Sequence, residues 1–282
     1  MAYSNIPIGT PNPGCFVILV DQSWSMNEEW KSGTKAEAAA LIVSRIIYEL
    51  GLACDTQEGI KDRCRVCLIG YGDNVHSVAD GMISDLHASP IEVKKVNRLI
   101  PDGAGGTVEI EADMPIWLRP QSSNGTPMHT AFDRAAEIVQ QWCTEWSDNF
   151  PPIVFNITDG EAYDPVSTAD VARKVMSFQT TDGNVLVFNV HIANSGNEVI
   201  FPHDKSQLAQ NPFAEFLFDI SSELPETLRE EARNHGFSPQ PNARCFGHNV
   251  TEVGLTKILE FGTLGTGALV PMNEDTDIQV LH

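Results

Sequence analysis

The chain has 282 residues, 42% of them hydrophobic, and a formal net charge of −20. That is enough apolar material for a sizeable core, but the clustered Lys and Arg that phosphate backbones require are missing, which excludes nucleic acid as a partner. No segment approaches the ~20 consecutive apolar residues of a membrane-spanning helix, and Met1 to Gly14 contain no Lys, Arg or apolar run, so neither a membrane anchor nor a secretory leader is expected.

Residues 1–13 read as a tail. Cys15-Phe16-Val17-Ile18-Leu19-Val20 is then an unbroken apolar run ending at Asp21. Such a run predicts a strand covered on both faces, as in a parallel sheet. Thr34 and Glu37 form a capping-box signature, Val43, Ile46, Ile47 and Leu50 follow helical spacing, and Gly51 stands where the helix is expected to stop. A second strand, Val66 to Tyr71, meets Gly72-Asp73-Asn74, a turn signal for a hairpin into an antiparallel edge strand.

Cys64 and Cys67 make a Cys-x-x-Cys within that second strand, where a spacing of three points the thiols to opposite faces. No second Cys or His pair completes a zinc site, and six cysteines are too few for a disulfide scaffold. Reduced thiols in a cytoplasmic protein are the expectation.

Between 80 and 124 the pattern is weaker. Val108 and Ile110 alternate with Glu109 and Glu111 as in a short exposed strand, and Gly103 to Gly106 form a loop with no phosphate-binding Lys after it. Thr126-Pro127 opens a helix, with Thr126 as cap and Phe132, Ala135, Ala136, Val139 and Cys143 as its apolar stripe. Pro152 to Thr158 is a strand ending at Asp159-Gly160. Ser167 or Thr168 opens the next helix, Asn184 to Val190 and Glu215 to Ser221 read as strands, and helices follow near Pro225–His235 and Leu255–Phe261. The alternation predicts one doubly wound α/β domain over 14–265, with a mostly parallel sheet, one antiparallel edge strand, helices on both faces and a tail from 266 to 282.

In open α/β sheets, sites form beyond the carboxyl ends of the strands. Asp21, Ser23 and Ser25 follow the first strand, Thr126 lies at a loop–helix junction, and Asp159 closes a central strand. Two carboxylates and three hydroxyls make an all-oxygen set suited to a hard cation. Each residue also has a plain reading: Thr126 as a helix cap, the serines as loop hydroxyls, Asp159-Gly160 as a turn.

In this order and context, Asp21-x-Ser23-x-Ser25, Thr126 and Asp159 resemble the metal-ion-dependent adhesion site of von Willebrand factor A domains, and the resemblance covers roughly residues 14 to 265. It implies a Rossmann-like fold and a protein-binding module that is not an enzyme. It also implies a single ion, Mg²⁺ with Mn²⁺ as substitute and Ca²⁺ less suited. Ser23, Ser25 and Thr126 would approach the ion directly and Asp21 and Asp159 through waters. The partner would supply an Asp or Glu carboxylate, and the charge of −20 implies basic residues around that carboxylate. Where family members often continue with Pro-Thr-Asp, this chain reads Glu161-Ala162-Tyr163-Asp164-Pro165, which implies a different partner rim. Gly-Thr-Pro-Met, Asp-Gly-Glu and Asp219–Pro225 resemble the bacterial stand-alone, tellurium-resistance-associated TerY-like group, linked to stress or phosphorylation signalling.

Two rivals differ in kind. A haloacid-dehalogenase-type phosphatase also places an Asp after its first strand, but it needs an acid/base Asp where Ser23 stands, and no lysine lies in the three loops. A scaffold that binds partners by shape, without metal, is the other. Trp24, between the two serines, reads equally as a partner contact or a core residue. His129, one turn into its helix, reads more readily as structural.

Overall fold

In the computed structural model, residues 3, 8–30, 33–101, 107–160, 162–193 and 196–264 are described. Strand β1 (Gly14–Asp21) is buried along its whole length. It lies between β2 (Cys64–Tyr71) and β6 (Ile153–Thr158), parallel to both. Beyond β2 the predicted hairpin adds antiparallel β3 (Val75–Met82). Beyond β6 come parallel β7 (Leu186–Ile192) and β9 (Phe246–Val250), and antiparallel β8 (Val199–Ile200) borders that edge. The seven-strand order is β8-β9-β7-β6-β1-β2-β3. This is the doubly wound, mostly parallel sheet expected, with a short antiparallel strand at the second edge as well.

Alternate residues of β1 feed two separate cores. Phe16, Ile18 and Val20 pack with α1 (Lys35–Ala53) and α7 (Glu252–Thr263), whereas Cys15, Val17 and Leu19 pack with α3 (Met128–Glu145) and α4 (Pro165–Ser177). Cys64 belongs to the first layer and Cys67 to the second, so the Cys-x-x-Cys straddles the sheet as the spacing requires. Tyr3 and Ile8, ahead of β1, pack onto the first layer.

The structure corrects several sequence expectations. Helix α1 runs through Gly51 to Ala53 and is capped at Cys54. Gly51 is small because the His87 ring of α2 (Ile83–Ala88) lies against it, so its role is close packing within the helix. Helix α4 starts at Pro165, two residues before Ser167, with Asp164 accepting from the Ser167 amide at 3.0 Å. The run read as a strand at Glu215–Ser221 belongs to helix α5 (Pro212–Asp219), opened by an Asn211 cap and Pro212. The strand near 184–190 is β7, which begins at Leu186, because Gly183–Asn184 pair instead with Gln179–Thr180. Val108 and Ile110 do lie in an exposed strand, β5 (Thr107–Ile116), paired antiparallel with β4 (Glu92–Pro101). Gly103 to Gly106 lie outside the described residues. The late helices are α6 (Glu226–Asn234) and α7, near their expected places.

Candidate metal centre

Parallel pairing sets the floor of the site. β1 and β6 run in register, Val20 opposite Ile157, so Asp21 and Thr158 emerge side by side at the carboxyl ends of neighbouring central strands. Asp21 is 1% exposed. Its Oδ1 accepts from the Ser23 amide at 2.8 Å and its Oδ2 from the Thr158 hydroxyl at 2.6 Å. Burial pushes its carboxyl up to about 7 against the pull of those hydrogen bonds, and Asp159 adds a smaller push in the same direction.

After Asp21 the chain enters a short 3₁₀ segment, Trp24–Asn27, with Ser23 at its cap position and Ser25 within it. Ser23 Oγ and Ser25 Oγ are 3.0 Å apart, and Ser25 donates its proton to Asp159 Oδ1 at 2.6 Å. Thr126 reaches the same end of the sheet on a loop stapled to the first: the Ser123 amide donates to the Gln22 carbonyl at 2.8 Å, and Ser123 bridges to Ser23. Gly125 has φ +96°, and a Cβ there would lie 3.2 Å from the Gly72 carbonyl oxygen and from the Tyr163 ring, so the loop requires glycine.

Thr126 does not cap the helix that follows. Pro127 occupies the cap position without a side-chain hydrogen bond, and the Met128 amide donates to the Thr126 carbonyl at 2.7 Å. The tight turn at Pro127 moves the helix start one residue on and leaves the Thr126 hydroxyl without a capping role. That hydroxyl makes no hydrogen bond to the other four residues, whereas Asp21 and Ser23 are joined, as are Ser23, Ser25 and Asp159.

Five further residues, outside the set of Asp21, Ser23, Ser25, Thr126 and Asp159, support the site. Thr158 holds Asp21. Tyr71, opposite Asp21 on β2, donates from its hydroxyl to Asn156 Oδ1 at 2.7 Å, and Asn156 donates on to Asn189 Oδ1 at 2.9 Å. This buried ladder keeps the polar groups beneath the site satisfied. The fifth is Lys35, 5% exposed, whose ammonium lies 2.6 Å from Asp159 Oδ2 and 2.7 Å from Glu28 Oε2. Burial pulls the Lys35 ammonium down, but the hydrogen bonds to Asp159 and Glu28 outweigh it and hold it above its usual range. Removing one member of such a buried pair costs about 3–5 kcal/mol.

The donor set fits a small hard cation. Two oxygens at right angles on Mg²⁺, with bonds of about 2.0–2.1 Å, stand about 2.9 Å apart, close to the 3.0 Å between the serine oxygens. Because the Ser25 proton points at Asp159, Ser23 is the donor in the 3.0 Å contact and Ser25 keeps one lone pair for another partner. Among the described residues no group of three or more His, Cys, Asp or Glu is placed to hold a metal, so a site here depends on hydroxyls.

The flanks differ in character. Trp24 is 67% exposed and Tyr163 71%, so the core reading of Trp24 does not hold. His129 Nε2 lies 3.1 Å from the Thr130 hydroxyl, its neighbour on α3.

No family model and no curated protein matches the chain. Among solved structures it is similar to the pilus adhesin SpaC from Lactobacillus rhamnosus GG, with TM-score 0.53 and 12% identity, covering 91% of this chain and 31% of that one. It is also similar to proximal thread matrix protein 1 from the mussel byssus with a zinc-occupied MIDAS motif, with TM-score 0.49 and 11% identity, covering 89% and 47%. A von Willebrand factor type A structure from Catenulispora acidiphila gives TM-score 0.39 and 13% identity, covering 74% and 43%. The chain thus spans less than half the length of each. At these identities the likeness is one of fold: a Rossmann-like α/β sheet wrapped by helices.

Proposed function

We propose that the chain is a von Willebrand factor A-type module that holds one Mg²⁺ through Ser23, Ser25 and Thr126 and binds a partner protein through it. The observation that carries this reading is the disposition of Ser25, which gives its proton to Asp159 while its oxygen stands 3.0 Å from that of Ser23. Asp21 accepts hydrogen bonds from the Ser23 amide and the Thr158 hydroxyl, and Asp159 accepts one from Ser25 that orients the Ser25 oxygen. Bound there, a divalent cation would supply an open coordination position for an Asp or Glu carboxylate of the partner.

The exposed Trp24 and Tyr163 give that carboxylate an apolar surround, and the net charge of −20 favours basic residues beyond it. A reducing compartment, the cytoplasm, fits the free cysteines, five of them buried, and no helix among the described residues is long and apolar enough to cross a membrane. Kinship with the TerY-like group, and a place in bacterial stress or phosphorylation signalling, rests on Gly125-Thr126-Pro127-Met128, Asp159-Gly160-Glu161 and the Asp219–Pro225 segment of the sequence.

The phosphatase reading gains one feature. A lysine absent from the loops reaches the site from α1, since Lys35 contacts Asp159. Its ammonium is already engaged by two carboxylates, and Ser23 still occupies the acid/base position. The two readings separate experimentally. The immobilised chain should retain its partner in Mg²⁺ and release it in EDTA, and the pure chain should leave phosphate esters intact. Retention indifferent to EDTA favours the metal-free scaffold, and turnover abolished by Asp21→Asn favours the phosphatase.

A further inference from the structure

We infer that Lys35 is an internal cation of the ion site, balancing Asp159 when no metal is bound and loosening the hold on the metal when one is. The inference rests on the metal reading above. Lys35 is the first residue of α1, and its stem carries the ammonium to Asp159 Oδ2 at 2.6 Å while Glu28, at 2.7 Å, closes the other side. The Asp159 side chain is fully shielded from solvent. Its other oxygen accepts the proton of Ser25. One buried carboxylate is therefore shared between a fixed ammonium and a hydroxyl of the candidate ligand set.

Two consequences follow from that sharing. A carboxylate buried without a partner is costly, so the ammonium stabilises the metal-free folded chain. The same positive charge repels a divalent cation drawing on the same carboxylate, with little solvent between to screen it. With Lys35 in place the charge of Asp159 is offset, whereas without it that buried carboxylate would stand uncompensated. Lys35 thus trades affinity for a site that stays folded when empty and exchanges its ion readily.

Lys35→Met keeps most of the stem and removes the charge, whereas Lys35→Arg keeps the charge. Mg²⁺ and Mn²⁺ are titrated calorimetrically into each metal-free chain, and melting is followed in EDTA and in saturating metal. Lys35→Met should bind either ion about tenfold more tightly than the parent, melt lower in EDTA, and show a wider gap between its two melting temperatures. Lys35→Arg should bind within about threefold of the parent. If Lys35→Met is unfolded in EDTA, Mn²⁺ should restore its fold. Equal or weaker binding by Lys35→Met in a parent that binds, or a Lys35→Met chain unfolded even in saturating metal, overturns the inference and leaves the metal reading standing. No binding by either chain overturns both.

Discussion

Ser25 donates its hydroxyl proton to Asp159 Oδ1 at 2.6 Å, joining a loop after the first strand to the end of a strand 134 residues later. The contact fixes both side chains and decides which way the serine lone pairs face. Ser25→Ala should therefore remove a ligand and release Asp159 together. Metal affinity should fall at least about tenfold, while the metal-free chain loses about 1–3 kcal/mol from the buried acceptor left short of a donor. Calorimetry and denaturant melts on one preparation test this; unchanged metal affinity contradicts it.

Thr126→Ala separates binding from folding more cleanly. Its hydroxyl caps no helix and bonds to none of the other four residues, so the metal-free stability should change by about 1 kcal/mol or less. Partner retention in Mg²⁺ should nonetheless disappear. A Thr126→Ala chain that keeps its partner would place the interaction on another surface.

Ion choice follows from donor count. Three hydroxyls and two carboxylates suit a small octahedral ion, and Mn²⁺ should replace Mg²⁺, whereas Ca²⁺ prefers six to eight oxygens in a roomier shell. Competition calorimetry should rank Ca²⁺ weakest. A seven-coordinate Ca²⁺ with bonds of about 2.4 Å in a crystal grown with all three ions would reverse the ranking.

The pH dependence of the metal-free chain carries the sign of Asp21. Burial holds its carboxyl up to about 7 in the folded chain, against 3.8 for the ordinary group. The folded state therefore binds more protons than the unfolded one between those values, and this contribution to stability falls as pH rises through them. In EDTA, the melting temperature of the parent should drop relative to that of Asp21→Asn from pH 4 to pH 7. Parallel curves would mean that Asp21 is ionised throughout.

Trp24 is exposed between the two serines in the chain, and Tyr163 is exposed with its ring near Gly125. Changing either to Ala should weaken partner binding by about 1–2 kcal/mol or more and leave metal affinity and melting temperature near those of the parent. Retention at parental strength would remove the apolar rim from the partner surface.

Much of this was legible in the residues. The apolar runs at Cys15–Val20 and Pro152–Thr158 marked the central strands because a strand covered on both faces shows no alternation. Asp21, Ser23, Ser25 and Asp159 could be read as a group because they sit at strand ends, where register brings them together. Thr126 was placed correctly at the loop–helix junction but given a capping role that the turn at Pro127 denies it. Phe213–Phe218 is a short apolar run, which strand and helix share, and the Asn211-Pro212 opening was the deciding signal. Strand β9 escaped because Gly247, His248 and Asn249 break the apolar pattern, and only its place beside β7 makes it a strand. Lys35 could not be found from spacing, since only the packed α1 brings its ammonium to Asp159.

The central claim, one divalent cation on the hydroxyls of Ser23, Ser25 and Thr126, is tested most directly by melting the pure chain in EDTA and in Mg²⁺ at about 100 times its dissociation constant. Mass action at that ratio contributes about 2.7 kcal/mol, which for a chain of this size raises the melting temperature by roughly 5–10 °C, and Ser25→Ala should abolish the rise. Coincident melting curves for the parent in EDTA, Mg²⁺ and Mn²⁺, with no heat of binding, would contradict it.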